Sequence, residues 1–439
     1  MITVVGTGTG APLPPDAEAA LDRAGLVVGA RRHLAAAALP DTAARVVLGP
    51  LAPALDAIER YLEKAEPAEE PADSGARGRV VVLASGDPGF FGIVRALAER
   101  FGSGRLTVHP GVSSVATAFA RAGLPWDDAV VVSAHGRALR TAVNVCRAHP
   151  KVAVLTGPGS GPAELGAALR SGGDGDGSGS GSGSGSRMLV VASALGSGSG
   201  ERVERVTPAE AAVRDWGPAV NVVLCLDESR ALSPVRTVAG PPPSPSRWAL
   251  AEGEFTHRDS MITKFEVRAL ALARLGPRLG EHVWDIGAGS GSIAVECARF
   301  GAAVTAVEKT ADGVERVHAN AAAQGVEVTV VHGAAPAVLS DLPDPDAVFI
   351  GGGGRELPAI VTACARRTRR SVVVAMAALD RVPAVREALV AAGLDCEGVL
   401  LQSSRLAPLP GDVTRLAATN PVFLLWGVRP PMRSEGVTQ

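Results

Sequence analysis

The chain has almost no charge to spare. Its 43 Lys and Arg face 45 Asp and Glu, a net charge of −2 over 439 residues. It carries no basic field for a polyanion, which argues against nucleic acid as a partner. The one dense basic run, Arg366-Arg367-Thr368-Arg369-Arg370, precedes an apolar stretch and reads as the last turn of a helix, where cations complement the dipole. The five cysteines (Cys146, Cys225, Cys297, Cys364, Cys396) are scattered with no C-x-x-C pair. That excludes a disulfide framework and a zinc site, so no metal is expected, and it fits a reducing cytosol. No apolar run approaches bilayer-spanning length, and the chain opens on an apolar run with no basic leader. A soluble, cytoplasmic protein is expected. Aromatic residues make up only 3%, but hydrophobic residues reach 46%, enough for a sizeable core, and the length calls for two or three domains.

Short β-rich runs alternate with Ala/Leu-rich amphipathic segments, which predicts an α/β protein with parallel sheets. Residues 64–79 read as a solvated loop. Residues 172–186, almost wholly Gly, Ser and Asp, cannot bury enough surface to order themselves and are taken as a loop insertion. Strands predicted at 187–192 and 221–226 continue the unit beyond that insertion. The Pro-rich segment 239–246 marks the better boundary, since proline stiffens the chain and withholds ladder hydrogen bonds. The expected division is 1–230, a linker 231–247, and 248–439.

Chemistry concentrates at residues 284–291, Trp284-Asp285-Ile286-Gly287-Ala288-Gly289-Ser290-Gly291. A strand ends in an acid, turns on alternate glycines and enters a helix, whose N-terminus offers unpaired N–H groups. A second acid, Glu308, ends the next strand at the position expected to accept from a ribose diol. The spacing is G-x-G-x-G after Asp, not the G-x-G-x-x-G of dinucleotide folds. It resembles motif I of class I S-adenosyl-L-methionine (SAM) methyltransferases, which implies cofactor contacts at Asp285, Gly287, Ala288, Gly289, Ser290, Gly291 and Glu308.

The first half opens with the glycine turn Gly6-Thr7-Gly8-Thr9-Gly10. Further on come Leu83-Ala84-Ser85-Gly86-Asp87-Pro88-Gly89-Phe90-Phe91-Gly92, His109-Pro110-Gly111-Val112-Ser113-Ser114 and Ser133-Ala134-His135-Gly136-Arg137. Loops at strand carboxyl ends are where α/β sheets bind ligands. Together these motifs resemble the tetrapyrrole (corrin/porphyrin) methylase family, in which SAM lies folded between two α/β subdomains. The resemblance implies cofactor contacts at Ser85, Gly86, Asp87, Ser113, Ser114 and Thr156. It puts Gly8, His135 and Arg137 on the substrate side. Gly157 stands where an acid is expected. Arg31-Arg32 after the second strand leaves a rival open, an NADP-dependent oxidoreductase fused to a methyltransferase.

In the second half, residues 255–268 (Phe255-Thr256-His257-Arg258-Asp259-Ser260-Met261-Ile262-Thr263-Lys264-Phe265-Glu266-Val267-Arg268) resemble the signature of decarboxylating precorrin-6B methyltransferases, as do His332-Gly333-Ala334-Ala335-Pro336 and residues 344–353. Thr263 and Ala335 are implied cofactor contacts, and Thr263 is also expected to N-cap a helix over 264–275. The fold class expected is α/β, with an N-terminal two-subdomain tetrapyrrole methylase fold and a C-terminal Rossmann-like class I SAM methyltransferase fold. The two resemblances imply SAM-dependent methylation of precorrin-6B at carbons 5 and 15, with decarboxylation of the ring C acetate, in cobalamin biosynthesis. His257, Asp259 and Lys264 are candidates to manage the proton. Arg31, Arg137, Arg258, Arg268 and Arg355 are candidates to hold the substrate's carboxylates. A homo-oligomer is expected, and a SAM-binding protein without turnover is the remaining alternative.

Overall fold

The computed structural model describes residues 1–10, 12–65, 79–170, 187–218, 221–232, 239–240, 247–258 and 262–430. The tract 172–186, the centre of the Pro-rich linker and Asp259 lie outside the described residues.

Among the described residues there are three large sheets and one separate two-stranded hairpin. The first is built from β1 (Ile2–Gly6), β2 (Leu26–Gly29), β3 (Ala44–Val47), β4 (Val80–Ala84) and β5 (Leu106–His109) in the order β3-β2-β4-β1-β5, all parallel. Its central strands are Val-rich because both faces are covered. Val4, Val28 and Val82 pack with Ile58 and Leu97 on one side, and Val5, Val27 and Leu83 with Ala17 and Leu21 on the other.

The second sheet joins β6 (Val130–Ser133), β7 (Lys151–Leu155), β8 (Arg187–Ser193), β9 (Arg202–Val206) and β10 (Asn221–Asp227) in the order β6-β7-β10-β8-β9. Here β6 and β7 are parallel, and β10 runs antiparallel between β7 and β8. The strands read from the sequence at 187–192 and 221–226 are thus neighbours, β8 and β10.

The third sheet contains β11 (His282–Ile286), β12 (Ala303–Glu308), β13 (Thr329–His332), β14 (Ala347–Ile350), β15 (Ser371–Met376), β16 (Asp395–Leu401) and, after a hairpin of β17 (Ser404–Leu409) and β18 (Val413–Ala418), β19 (Val422–Val428). Its order is β13-β12-β11-β14-β15-β19-β16, parallel as far as β15 and antiparallel beyond. Arg366 and Arg367 close the helix Leu357–Arg367, as the basic run predicts.

The helix Leu139–Ala148 of the first half lies across the strand starts of the third sheet. Arg140 Nη1 reaches both oxygens of Asp346, just before β14, at 2.7 and 2.8 Å. Asn144 donates to the Gly280 carbonyl at 3.0 Å. Arg187 and Arg230 share Glu327, ahead of β13. The carboxyl ends of these strands are at the opposite edge. Two histidines are enclosed near this seam. Burial, aided by Arg187, pushes His149 down to about 4. Burial, with Arg147 and Arg140, pushes His282 down to about 3.

A histidine kept neutral in the fold protonates first in the unfolded chain. Stability is therefore lost as the pH falls from about 6.5 toward the folded values. Acid unfolding followed by circular dichroism is expected to steepen between pH 6.5 and 4. His149→Gln should flatten part of that limb, and an unchanged curve would remove His149 from this role.

Candidate active sites

At the carboxyl edge of the first sheet, three loops touch backbone to backbone. Thr7 donates to the Ala84 carbonyl at 2.8 Å, and Gly8 and Gly86 exchange amide contacts at 3.3 and 3.1 Å. A Cβ on Gly6 would meet the Gly111 nitrogen at 2.5 Å and the Gly86 oxygen at 2.6 Å, so only glycine allows this approach. Gly8, Gly86 and the turn before Ser113 are thereby gathered. Ser113 N-caps the helix Ser114–Ala122, accepting from Ala116 at 3.1 Å. Asp87 folds onto its own loop through the Gly89 amide at 2.8 Å.

Ser85 is engaged by Arg32 Nη2 at 2.7 Å and His33 Nε2 at 3.0 Å. Burial and Arg32 hold His33 below its ordinary pKa. The residues meeting the loop are thus Arg32 and His33, whereas Arg31 is exposed on the same short helix, Arg31–Ala36.

Loops of the second sheet complete the cleft. Gly196, after β8, sits against the Thr9 carbonyl, and Arg137, after β6, lies over the Phe91 ring at 5.8 Å. His135 Nδ1 contacts the Thr156 carbonyl at 3.3 Å. Both line a cavity of about 600 Å³ with Gly157, Pro158, Trp216 and Asn221. The Thr156 hydroxyl is shared between the Asn221 carbonyl (2.6 Å) and Oδ1 (2.5 Å), so its protein role is to tie β7's end to β10's start.

In the second half the glycine turn after β11 takes left-handed backbone at Gly287, Gly289 and Gly291 (φ +72°, +59° and +70°), which accounts for glycine at alternate positions. The two acids pin it from below. Asp285 Oδ2 accepts from the Ala294 amide at 2.9 Å, and Glu308 Oε2 accepts from the Gly289 amide at 2.9 Å. Glu308 Oε1 takes the Thr310 amide and hydroxyl at 2.9 and 2.8 Å. Burial pushes the Asp285 carboxyl up to about 7; the Ala294 amide opposes the shift and the Glu308 charge adds to it. Ala335 follows β13, at the same edge of the sheet.

Residues 247–258 and 262–268 are laced over this turn. Asn320, 2% exposed, exchanges hydrogen bonds with Thr256 (2.7 and 2.9 Å) and donates to the Ser290 carbonyl at 2.7 Å. His257 is the next residue, and its buried Nδ1 has no hydrogen-bond partner among the described residues. Glu296, fully buried, accepts from the Leu250 amide at 2.5 Å and pairs with Arg299 at 3.0 Å and Arg268 at 3.6 Å.

Three sequence expectations need correction. Arg268 is fully buried, bonded to the Thr263 and Leu250 carbonyls and packed 4.9 Å over Phe255, so it braces the segment and faces no cleft. The helix is Phe265–Leu275 with Lys264 at its N-cap, and Thr263 supplies no cap. Lys264 is tied to Glu252 at 3.0 Å, in a network that Arg405 of β17 extends to Glu266. Arg258 and Arg355 are exposed near this edge.

Two family models match the chain, one on each half. The family model described as Tetrapyrrole (Corrin/Porphyrin) Methylases matches residues 1–178, and the one described as Precorrin methyltransferase domain matches 254–428. A Sinorhizobium protein named precorrin-6Y C(5,15)-methyltransferase [decarboxylating] is 37% identical over 360 residues, 81% of this chain and 79% of its own. The chain belongs to this family. Shorter members of the wider group resemble parts of it. A Salmonella typhimurium cobalt-precorrin-7 C(5)-methyltransferase is 31% identical over 52% of this chain and all of its own. A Pyrobaculum calidifontis protein named a cobalt-precorrin-6B C(15)-methyltransferase (decarboxylating) is 39% identical over 37% of this chain and 87% of its own.

Membership in a methyltransferase family makes the chain an enzyme with a methyl donor to hold, and the architecture is the α/β one expected. Sequence reasoning gave no role to Asn320, Asn221 or His33, and weighed Arg32 only, with Arg31, for the rival dinucleotide site. Arg32 alone had a visible signal, through the Arg31-Arg32 pair. Asn320→Ala would strand the Thr256 backbone and the Ser290 carbonyl, at a cost of about 2–4 kcal/mol. Urea unfolding should register that loss and amide exchange should quicken at residues 255–258; unchanged exchange would mean Asn320 does not hold this segment.

Proposed function

We propose that the chain is a bifunctional SAM-dependent C-methyltransferase acting on precorrin-6B in cobalamin biosynthesis. Its first half methylates carbon 5. Its second half methylates carbon 15 and releases the ring C acetate carboxyl as carbon dioxide. The observation that carries this reading is the pairing of two different family matches, one on each half, in a chain 37% identical to a relative that bears both activities in its name.

The second half fits a bound SAM. Its glycine turn has no Cβ at three left-handed positions, and a carboxylate with about four acceptor sites leaves Glu308 capacity for a ribose hydroxyl beyond its three protein contacts. Gly287, Ala288, Gly289, Ser290, Gly291, Asp285, Thr263 and Ala335 would form the rest of that cradle. In the first half the cradle would be Ser85, Gly86, Asp87, Ser113, Ser114 and Thr156, with Gly8 on the substrate side. When bound, SAM supplies an electrophilic methyl group on a sulfonium.

The protein's share of the work is positioning. Methyl transfer needs an electron-rich carbon held in line, which is worth far more than acid–base assistance here. The Asn320 clamp fixes the 255–258 segment over the glycine turn, and His257 in that segment, whose buried Nδ1 has no partner among the described residues, would manage the proton once that atom is uncovered. Lys264 is held by Glu252 and is the weaker choice for that task. Arg31, Arg258, Arg355, Arg137 and His135 would meet acidic ring substituents. The oxidoreductase alternative loses support, since Arg32 is spent on Ser85 and the chain's relatives are methyltransferases.

Incubating the full chain with SAM and precorrin-6B should give, by mass spectrometry, a product with two added methyl groups and one carbon dioxide lost. Glu308→Ala should give one added methyl and no loss of carbon dioxide. Decarboxylation undiminished in that variant would refute the role of the second half, and an unchanged substrate mass with the parent protein would refute the whole reading.

A further inference from the structure

Phe91 holds a backbone conformation suited to glycine. Its φ is +54°, in the left-handed region that disfavours an L-residue. Its neighbours explain how the chain is forced there. Gly92 packs onto Pro88 so closely that a Cβ would come within 2.3 Å of the Pro88 carbonyl, and the Val94 amide donates to that same carbonyl at 3.2 Å. They do not explain the ring. A strained aromatic residue that served packing would be buried, yet Phe91 is 51% exposed.

What surrounds the ring is a ligand-like surface. Phe90 meets it edge-on at 5.0 Å and is itself 37% exposed. Val112, on the facing loop after β5, is 61% exposed beside Gly8. The Arg137 guanidinium lies 5.8 Å over the Phe91 centroid and comes from the other subdomain, so this contact crosses the cleft. Apolar side chains left in water and crossed by a cation mark a place where something flat, conjugated and acidic would be better accommodated than solvent. Held strain at a cleft mouth points the same way.

We propose that Phe91 and Arg137 position the substrate of the first half. The Phe91 ring lies against the face of the conjugated macrocycle, and Arg137 leaves that ring to pair with a peripheral carboxylate. The inference rests on the tetrapyrrole activity proposed above, in which Arg137 already stands on the substrate side, and adds Phe91 as the residue that orients the ring over the cofactor loops.

The test separates binding from folding because glycine suits this backbone. Phe91→Gly removes the ring and the strain together. In the full-length protein, KM for the tetrapyrrole in the carbon 5 methylation should rise about tenfold, the worth of one lost aromatic contact. The dissociation constant for SAM and the second half's decarboxylation should stay at the parent's values, and Tm should not fall. Phe91→Tyr should restore the parent KM, and Arg137→Ala should raise KM as Phe91→Gly does. An unchanged KM in Phe91→Gly, or a Tm that falls in step with activity, would overturn the proposal. A parent protein that decarboxylates and adds a methyl at carbon 15 but none at carbon 5 would instead overturn the assigned reaction of the first half.

Discussion

Asp346 is the point at which the architecture is tied. Its carboxylate takes Arg140 from the first half and the His282 amide from the start of β11. Its carbonyl takes the Arg370 amide at the start of β15 and the Thr368 hydroxyl. One residue ahead of β14 therefore sets three strand starts and the seat of the other half. A largely buried ion pair adds little net stability once its desolvation is counted, but removing one partner leaves the other unpaired at a cost of several kcal/mol. The arrangement is better understood as fixing one geometry than as a source of stability. Everything at the far edge of the third sheet inherits its placement from this row.

At that far edge the logic is reversed. Asp285 and Glu308 are buried acids whose oxygens are turned toward backbone amides of the loop above them. Asp285 meets the helix start through a single amide and remains largely desolvated, which is why its carboxyl sits near neutrality. Glu308 has more donors and shapes the glycine turn directly. The first half achieves a comparable mouth with no such acid pair, by bringing the three loops around Gly6, Gly86 and Gly111 into van der Waals contact. Two unrelated ways of exposing backbone at strand ends thus occur in one chain.

Much of this was legible in the sequence because it is local. Val-rich runs announced the strands, and alternating glycines after an acid announced the turn. What was not legible depends on distant partners. Asn320 lies inside a helix and carries no local sign that it clamps Thr256 and Ser290. Arg268, one of five arginines read as candidates for the substrate's carboxylates, is instead enclosed by Glu296 and two carbonyls. Thr263 looked like a cap by position, but the helix starts at Phe265 with Lys264 as its N-cap. The choice of Arg31 over Arg32 was a matter of one residue on a single helical turn. The hairpin of β17 and β18 gave no clear alternation to read.

The second half turns its strand starts to the first, so its glycine turn opens away from it, beyond strands of four to six residues. At roughly 3.3 Å per residue that sets on the order of 15 Å of solid sheet between the seam and the second mouth. Among the described residues, a macrocycle passed between the two proposed sites would therefore travel round this sheet and not through it.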